Sequence, residues 1–226
     1  MKSHQELAIE GGAPVRRKKL PYRRLFGKEE LEMVHRVFQR SWSEEVDFGF
    51  QGYFEDLYTE KFCQFQGGGY ADAVSSGTAG IYIAVSVAGF HGSDIIVSPV
   101  TDPGAISAVI LAGYSPIVAD AAPDGFNVDV ESLDQAVTSN TKVALVTHVG
   151  GNPCNMPEIT AWARKKDIFL IEDCSQAHGA SFEKEKVGNF GDIAVFSTMY
   201  SKNHASGGSG GMVFTKNEEV YWKARA

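Results

Sequence analysis

The chain has little cysteine and no two cysteines close together. Cys63, Cys154 and Cys174 are odd in number and widely spaced, with no Cys-x-x-Cys pair, so neither a disulfide framework nor a zinc cluster is expected. Long hydrophobic runs are missing too: no stretch approaches the ~20 apolar residues of a membrane span. The opening "MKSHQELAIEGGAP" lacks the apolar block of a signal peptide, and there is no Asn-x-Ser/Thr sequon. Together these absences lead to the expectation of a soluble, cytoplasmic protein. Positive charge is in short supply, with 21 basic against 28 acidic side chains and a net charge of −7, which argues against a nucleic-acid partner. The one basic run, Arg16-Arg17-Lys18-Lys19, reads as a solvated segment. With 43% hydrophobic residues, the chain has enough apolar surface to bury a core.

What is present changes rhythm along the chain. "KEELEMVHRVFQRS" places Leu31, Val34, Val37 and Phe38 at helical spacing, and "YFEDLYTEKFCQF" does the same with Phe54, Leu57, Tyr58 and Phe65. After Gly67, short apolar runs ("DIIVSPV", "SPIVAD", "KVALVTHV", "IFLIED", "DIAVFS", "GMVFT") alternate with expected helices at about 77–88, 103–112, 130–138, 156–166 and 217–225. Strands alternating with helices predict an α/β fold, a mostly parallel central sheet covered by helices on both faces. The expected division is an N-terminal arm and first helix over 1–45, then one large domain over 46–226. The closing "NEEVYWKARA" reads as an interrupted helix, which leads to the expectation of a longer protein.

Ligands of open α/β sheets sit outside the carboxyl ends of the strands, so the polar residues there are the first candidates: Asp120, His148, Glu172-Asp173 and Ser197. "VSSGTAGIYIAV" follows a short strand and opens a helix. Ser76 or Thr78 is either a plain N-cap there or, with Gly77 and the free amides of the first turn, part of an anion site. No G-x-x-x-x-G-K-[ST] occurs, which excludes a nucleoside-triphosphate loop. Asp173, where a buried strand emerges, needs a partner: a structural base, or a protonated heteroaromatic nitrogen with Gln176 and His178 beside it. Lys202 lies between a strand and a glycine tract. It is either a surface residue at a loop edge or a buried amine whose lowered pKa makes it a nucleophile toward carbonyls. An anion cradle, a strand-end aspartate and a buried lysine are the parts needed to hold the phosphate, ring nitrogen and aldehyde of pyridoxal phosphate.

The ordered motifs "SSGTAGIYIAV", "FNVDVESLDQAVTSNTKVALVTHVGG", "IEDCSQAHGA", "VGNFGDIAVFS" and "SKNHASGGSGGMVFT" resemble those of the DegT-type sugar aminotransferases, over nearly the whole chain. The resemblance implies the large domain of the type I aminotransferase fold without its small C-terminal domain, and pyridoxal 5'-phosphate as cofactor. It implies that Lys202 bonds covalently to the cofactor, Asp173 pairs with the ring nitrogen, Gln176 packs near the ring, and Gly77, Thr78 and Ser197 hold the phosphate. The implied reaction moves an amino group from glutamate or glutamine to a nucleotide-linked keto sugar or a keto cyclitol, in an enzyme that is a homodimer at full length.

Three positions depart from the family pattern. Asp102 stands where an aromatic residue commonly stacks on the ring, Ser175 where a small apolar residue is usual, and Ser209 where an acid normally lies between glycines. These departures, with the missing domain, leave a non-catalytic regulator or binding module, or an inactive fragment, as the alternative. Dehydration of a deoxysugar ranks last, because that chemistry is helped when the lysine is replaced by histidine. No metal site is expected: His4, His35 and His91 have no metal-ligand spacing. His204 is read either as a hydrogen-bonding residue near the site or as one that simply lines the loop, Cys174 as a buried spacer, and Trp42, Trp162 and Trp222 as core or interface.

Overall fold

The computed structural model describes residues 6–21, 26–49 and 51–226; His4 and parts of the predicted arm lie outside them. Helices α1 (Lys28–Glu44) and α2 (Tyr53–Gln66) lead into β1 (Tyr70–Val74), α3 (Gly77–Ala88), β2 (Asp94–Val97), α4 (Pro103–Leu111), β3 (Ser115–Val118) and α5 (Val130–Ala136). Then come β4 (Thr141–Thr147), α6 (Met156–Lys166), β5 (Phe169–Asp173), a small hairpin β6 (Ser181–Phe182) and β7 (Glu185–Lys186), β8 (Ile193–Ser197), β9 (Gly211–Thr215) and α7 (Glu218–Arg225).

Seven strands form one sheet in the order β1-β9-β8-β5-β4-β2-β3. The β3-β2-β4-β5-β8 ladder is parallel, whereas β9 is antiparallel to both β8 and β1. β9 alone therefore runs against the other six. That single reversal matters for function, because the 198–210 connection leaves β8 and returns to β9 on the same carboxyl edge where the other strands end.

Side-chain alternation explains the layers. Ile95, Val97, Val143, Leu145, Ile193 and Val195 pack with Ile81, Val85, Ala105 and Val109 of α3 and α4. Their neighbours Ile96, Ala144 and Val146 pack with Leu133, Ile159, Trp162 and Ala163 of α5 and α6 on the opposite face. Phe62 of α2 joins Ala194, Phe196, Met212 and Phe214 in a third cluster. The predicted two-sided cover is thus present. α3 lies close on β8 because Gly80 has no side chain: a Cβ there would come within 2.7 Å of Val195 Cγ1.

The structure departs from the sequence-based expectation at one boundary and in the burial of one helix. α5 stops at Ala136, not near 138, because the Thr138 hydroxyl donates to Asp94 Oδ2 at 2.5 Å and its amide to Thr141 Oγ1 at 2.9 Å, turning the chain into β4. α1 forms as its spacing predicts, yet it buries none of its residues, and Leu31, Val34, Phe38 and Trp42 stay exposed. No helix among the described residues is long and apolar enough to cross a membrane.

Candidate active site

All six residues expected to bind the cofactor, Gly77, Thr78, Asp173, Gln176, Ser197 and Lys202, line one cavity of about 130 Å³ at the carboxyl edge of the sheet. Asp102, Ser175 and Ser209, the three departures, line it too. Of the other strand-end candidates, Asp120 is exposed and bonded to its neighbour's amide, and His148 and Glu172 are sealed inside the fold.

The anion-type end of the cavity is the start of α3. Ser76 is the N-cap, its Oγ accepting from the Ala79 amide at 3.0 Å. The Gly77 and Thr78 amides precede the first intrahelical bond and lack an acceptor within the helix. Cap and anion-site readings are therefore compatible: the serine takes one orphan donor and leaves two at the positive end of the helix dipole. A Cβ on Gly77 would lie 2.7 Å from Ser197 Cβ and 3.2 Å from Ser197 Oγ. Glycine is what lets the serine hydroxyl share a wall with these amides.

Asp173 ends β5, buried, with Oδ1 accepting from the Ser175 amide at 3.0 Å. Burial raises its carboxyl above the ordinary carboxylate range, while the bonds from Ser175 and the charge of Lys202 pull the other way. Such a carboxylate is poised to gain from a cation brought into the cavity. Gln176 is oriented by its amide oxygen, which accepts from the Gly150 amide at 2.7 Å, so its NH₂ is left for other partners. The Lys202 backbone amide donates to Met199 O at 2.9 Å, closing a turn. The side chain is half-buried, less enclosed than expected, because it sits on the exposed β8–β9 connection.

The departures have structural roles of their own. The Asp102 side chain caps α4 through the Gly104 amide at 2.8 Å. The Ser209 hydroxyl donates to Ser75 O at 2.8 Å, tying the glycine tract to the β1–α3 turn. The Ser175 hydroxyl accepts from the Ser197 amide at 3.1 Å.

His148, Glu172 and Cys174 bring ligand-type atoms within 4.8 Å of one another. Glu172 Oε1 already accepts from Phe190 and Gly191 amides at 2.8 and 2.7 Å, and Oε2 from Gly188 at 2.8 Å and His148 Nε2 at 3.1 Å. His148 Nδ1 accepts from the Cys154 amide at 3.1 Å, which places its proton on Nε2. The cluster is a hydrogen-bonded plug. Burial pushes the Cys154 thiol up to about 12 and Cys174 well above the ordinary thiol range, so neither is a thiolate nucleophile.

His178 and His204 lie outside the Lys202 cavity and line an adjoining, mostly apolar groove with Tyr58, Phe62 and Phe65. Tyr58 Oη and His204 Nε2 are 2.9 Å apart. Sequence reasoning placed Tyr58 only as a helical apolar residue; its long-range contact with His204 carries no local signal.

The sheet, its reversed edge and the cavity define the large domain of a type I aminotransferase fold. The chain belongs to the DegT/DnrJ/EryC1/StrS aminotransferase family, whose sequence pattern matches residues 25–226. GDP-perosamine synthase of Escherichia coli O157:H7 is 31% identical over 198 residues, 87% of this chain and 52% of that protein. The aminotransferase from Psychrobacter cryohalolentis superposes with a TM-score of 0.82 at 32% identity, covering 88% of this chain and 50% of its own. GDP-4-keto-6-deoxymannose-3-dehydratase, solved with a trapped PLP-glutamate geminal diamine, superposes with a TM-score of 0.80 at 29% identity, covering 88% of this chain and 52% of its own. Pyridoxal phosphate is the cofactor of the family. The chain spans about half the length of the curated relatives it matches.

The residues present fit that cofactor. The cavity combines two helix-terminal amides and a hydroxyl kept together by a glycine, a buried carboxylate that a cation would stabilise, and a lysine whose charge reaches that carboxylate.

Proposed function

We propose that this chain carries the cofactor-binding part of an aminotransferase that moves an amino group from glutamate or glutamine to a nucleotide-linked keto sugar or keto cyclitol. The observation that carries the reading is the convergence of Gly77, Thr78, Asp173, Gln176, Ser197 and Lys202, from four separate stretches of sequence, on one cavity. Residues 46–226 form the cofactor domain in this reading, preceded by an arm and first helix over 1–45. The uncovered apolar stripe of α1 supports assembly as a homodimer at full length.

Pyridoxal phosphate, when bound, supplies an electron sink for carbanion chemistry. The chain's own residues do the rest. The Gly77 and Thr78 amides and the Ser197 hydroxyl bind the phosphate. The Asp173 carboxylate would accept a hydrogen bond from the ring nitrogen and keep it protonated. Lys202 Nζ would anchor the cofactor covalently and, as a free amine, would take up and return a proton beside the reacting carbon. Gln176, held by the Gly150 amide, would pack near the ring.

A second reading, a binding module without turnover, draws on Asp102 and Ser209 in the cavity wall. The test is absorbance with pyridoxal phosphate, borohydride trapping and peptide mapping, with Lys202→Ala as control, then amino transfer from glutamate to a panel of nucleotide keto sugars. A trapped adduct on Lys202 with product formed is the expected result. An adduct without product from any substrate favours the binding module, and no adduct in a folded chain overturns the aminotransferase reading.

A further inference from the structure

The carboxyl end of β8 presents an accounting problem for backbone polar groups. β5 and β8 pair in parallel only as far as Asp173↔Val195, and the Cys174 amide donates to Val195 O at 2.8 Å as the last backbone bond between them. Ser197 lies two residues further on, where β5 has already left the sheet. On its other side β9 is engaged through the next residue, Thr198, whose amide donates to Gly210 O at 2.8 Å. The amide and carbonyl of Ser197 therefore need partners that the ladder no longer provides.

Two side chains from the segment that follows β5 take the ladder's place. The Ser197 amide donates to Ser175 Oγ at 3.1 Å, and His178 Nε2 lies 2.7 Å from Ser197 O. Because a carbonyl only accepts, Nε2 carries the proton and donates. Burial lowers the affinity of His178 for a second proton, against the opposing effect of its bond to Ser197 O, with the charges of His204 and Lys202 acting in the same direction as burial. The ring is steadied by Phe196, at 5.3 Å between centroids, and by His204 at 5.6 Å.

From this geometry we infer that His178 is a positioning residue for the phosphate cradle. Its grip on the Ser197 carbonyl, opposite the grip of Ser175 on the amide, fixes the turn of β8 that aims Ser197 Oγ beside the Gly77 and Thr78 amides. His178 itself does not line the Lys202 cavity, so it acts through Ser197. The inference rests on the cofactor reading above, and it distinguishes the phosphate from the ring: loosening Ser197 weakens the hold on the phosphate and leaves the aldehyde and ring contacts intact.

The experiment compares equilibrium affinity for pyridoxal phosphate with that for pyridoxal, which lacks the phosphate, in the 226-residue chain and three variants. His178→Phe keeps a ring against Phe196 but has no donor. His178→Gln places an amide N–H near the position of Nε2, and His178→Asn places it too short to reach. The expected result is a loss of about tenfold in affinity for pyridoxal phosphate in His178→Phe and His178→Asn, the size of a lost buried hydrogen bond. Pyridoxal affinity should change less than about twofold, and His178→Gln should recover most of the loss. If the phenylalanine variant does not fold, the glutamine and asparagine pair carries the comparison. Parallel losses for both ligands, unchanged phosphate-ligand affinity, or equal behaviour of the glutamine and asparagine variants overturns the positioning role alone. Failure of the unmodified, folded chain to bind pyridoxal phosphate overturns the cofactor reading together with it.

Discussion

Glu172 and Asp173 are consecutive residues of β5 whose carboxyls serve opposite sides of the sheet. The first is closed in by three amides and the His148 imidazole, and the second faces the cavity that holds Lys202. Strand alternation makes this division automatic. One carboxylate is enclosed by hydrogen bonds within the fold while its neighbour lines the cavity.

The division predicts unequal costs. Glu172→Gln replaces an acceptor oxygen by an NH₂ group that faces amide donors, so buried donors lose their partner, a loss of about 3–5 kcal/mol. Asp173→Asn keeps an oxygen for the Ser175 amide and removes a buried charge, so it costs far less. Urea unfolding of both variants checks the order; equal or reversed costs would mean that Glu172 is not the structural member of the pair.

The pH dependence of the cofactor-free chain follows from Asp173. Its folded value is raised, so the folded state binds the proton more tightly than the unfolded state does. Its contribution to stability is fully present below the ordinary carboxylate range and is lost as pH rises through the raised folded value. Asp173→Asn should abolish that part of the loss, flattening the acid side of a plot of stability against pH. Bound cofactor with a protonated ring nitrogen should flatten it as well, because the cation favours the ionised carboxylate.

Much of the fold was legible because its signals are local. Short apolar runs between polar turns marked the strands, and Ser76 caps the helix that its sequence position announces. The cavity residues were legible only as a set, since Gly77, Asp173 and Lys202 acquire meaning from being together. What stayed hidden depends on contacts between distant segments. The antiparallel course of β9 is fixed by pairing with β1, 143 residues away at Ala71↔Phe214 by the difference of their numbers. The fate of Glu172 depends on a loop at 188–191, and that of α1 on surfaces its periodicity does not name. Ser175 and Ser209 looked like deviations from a pattern; their hydrogen bonds show that each has a place in the local structure.

Gly77 should tolerate no side chain. Gly77→Ala puts a methyl group 2.7 Å from Ser197 Cβ, in a place where neither α3 nor β8 can give way cheaply. A loss of about 1–3 kcal/mol in stability is expected from the overpacking, with a larger proportional loss of affinity for pyridoxal phosphate than for pyridoxal. Gly208→Ala, where the added Cβ meets nothing within 4 Å, is the control and should stay within about 0.5 kcal/mol. Thermal unfolding and ligand titration on the two variants check both parts.

Asp102 offers a way to separate charge from capping. Asparagine at 102 can still accept from the Gly104 amide, so Asp102→Asn should leave stability nearly unchanged, whereas Asp102→Ala should cost about 1 kcal/mol as a lost N-cap. Both variants remove a negative charge from the wall of a cavity that the Gly77 and Thr78 amides also line, with the Thr78 hydroxyl close to the Asp102 carboxylate around Gly104. Like charges repel, so both should bind pyridoxal phosphate more tightly, by a factor of a few, with a gain that shrinks as salt is raised. Pyridoxal, which lacks the phosphate, should show little of this gain. A tighter alanine variant beside an unchanged asparagine variant would locate the effect in the loosened start of α4, and the charge of Asp102 would then have no part in cofactor affinity.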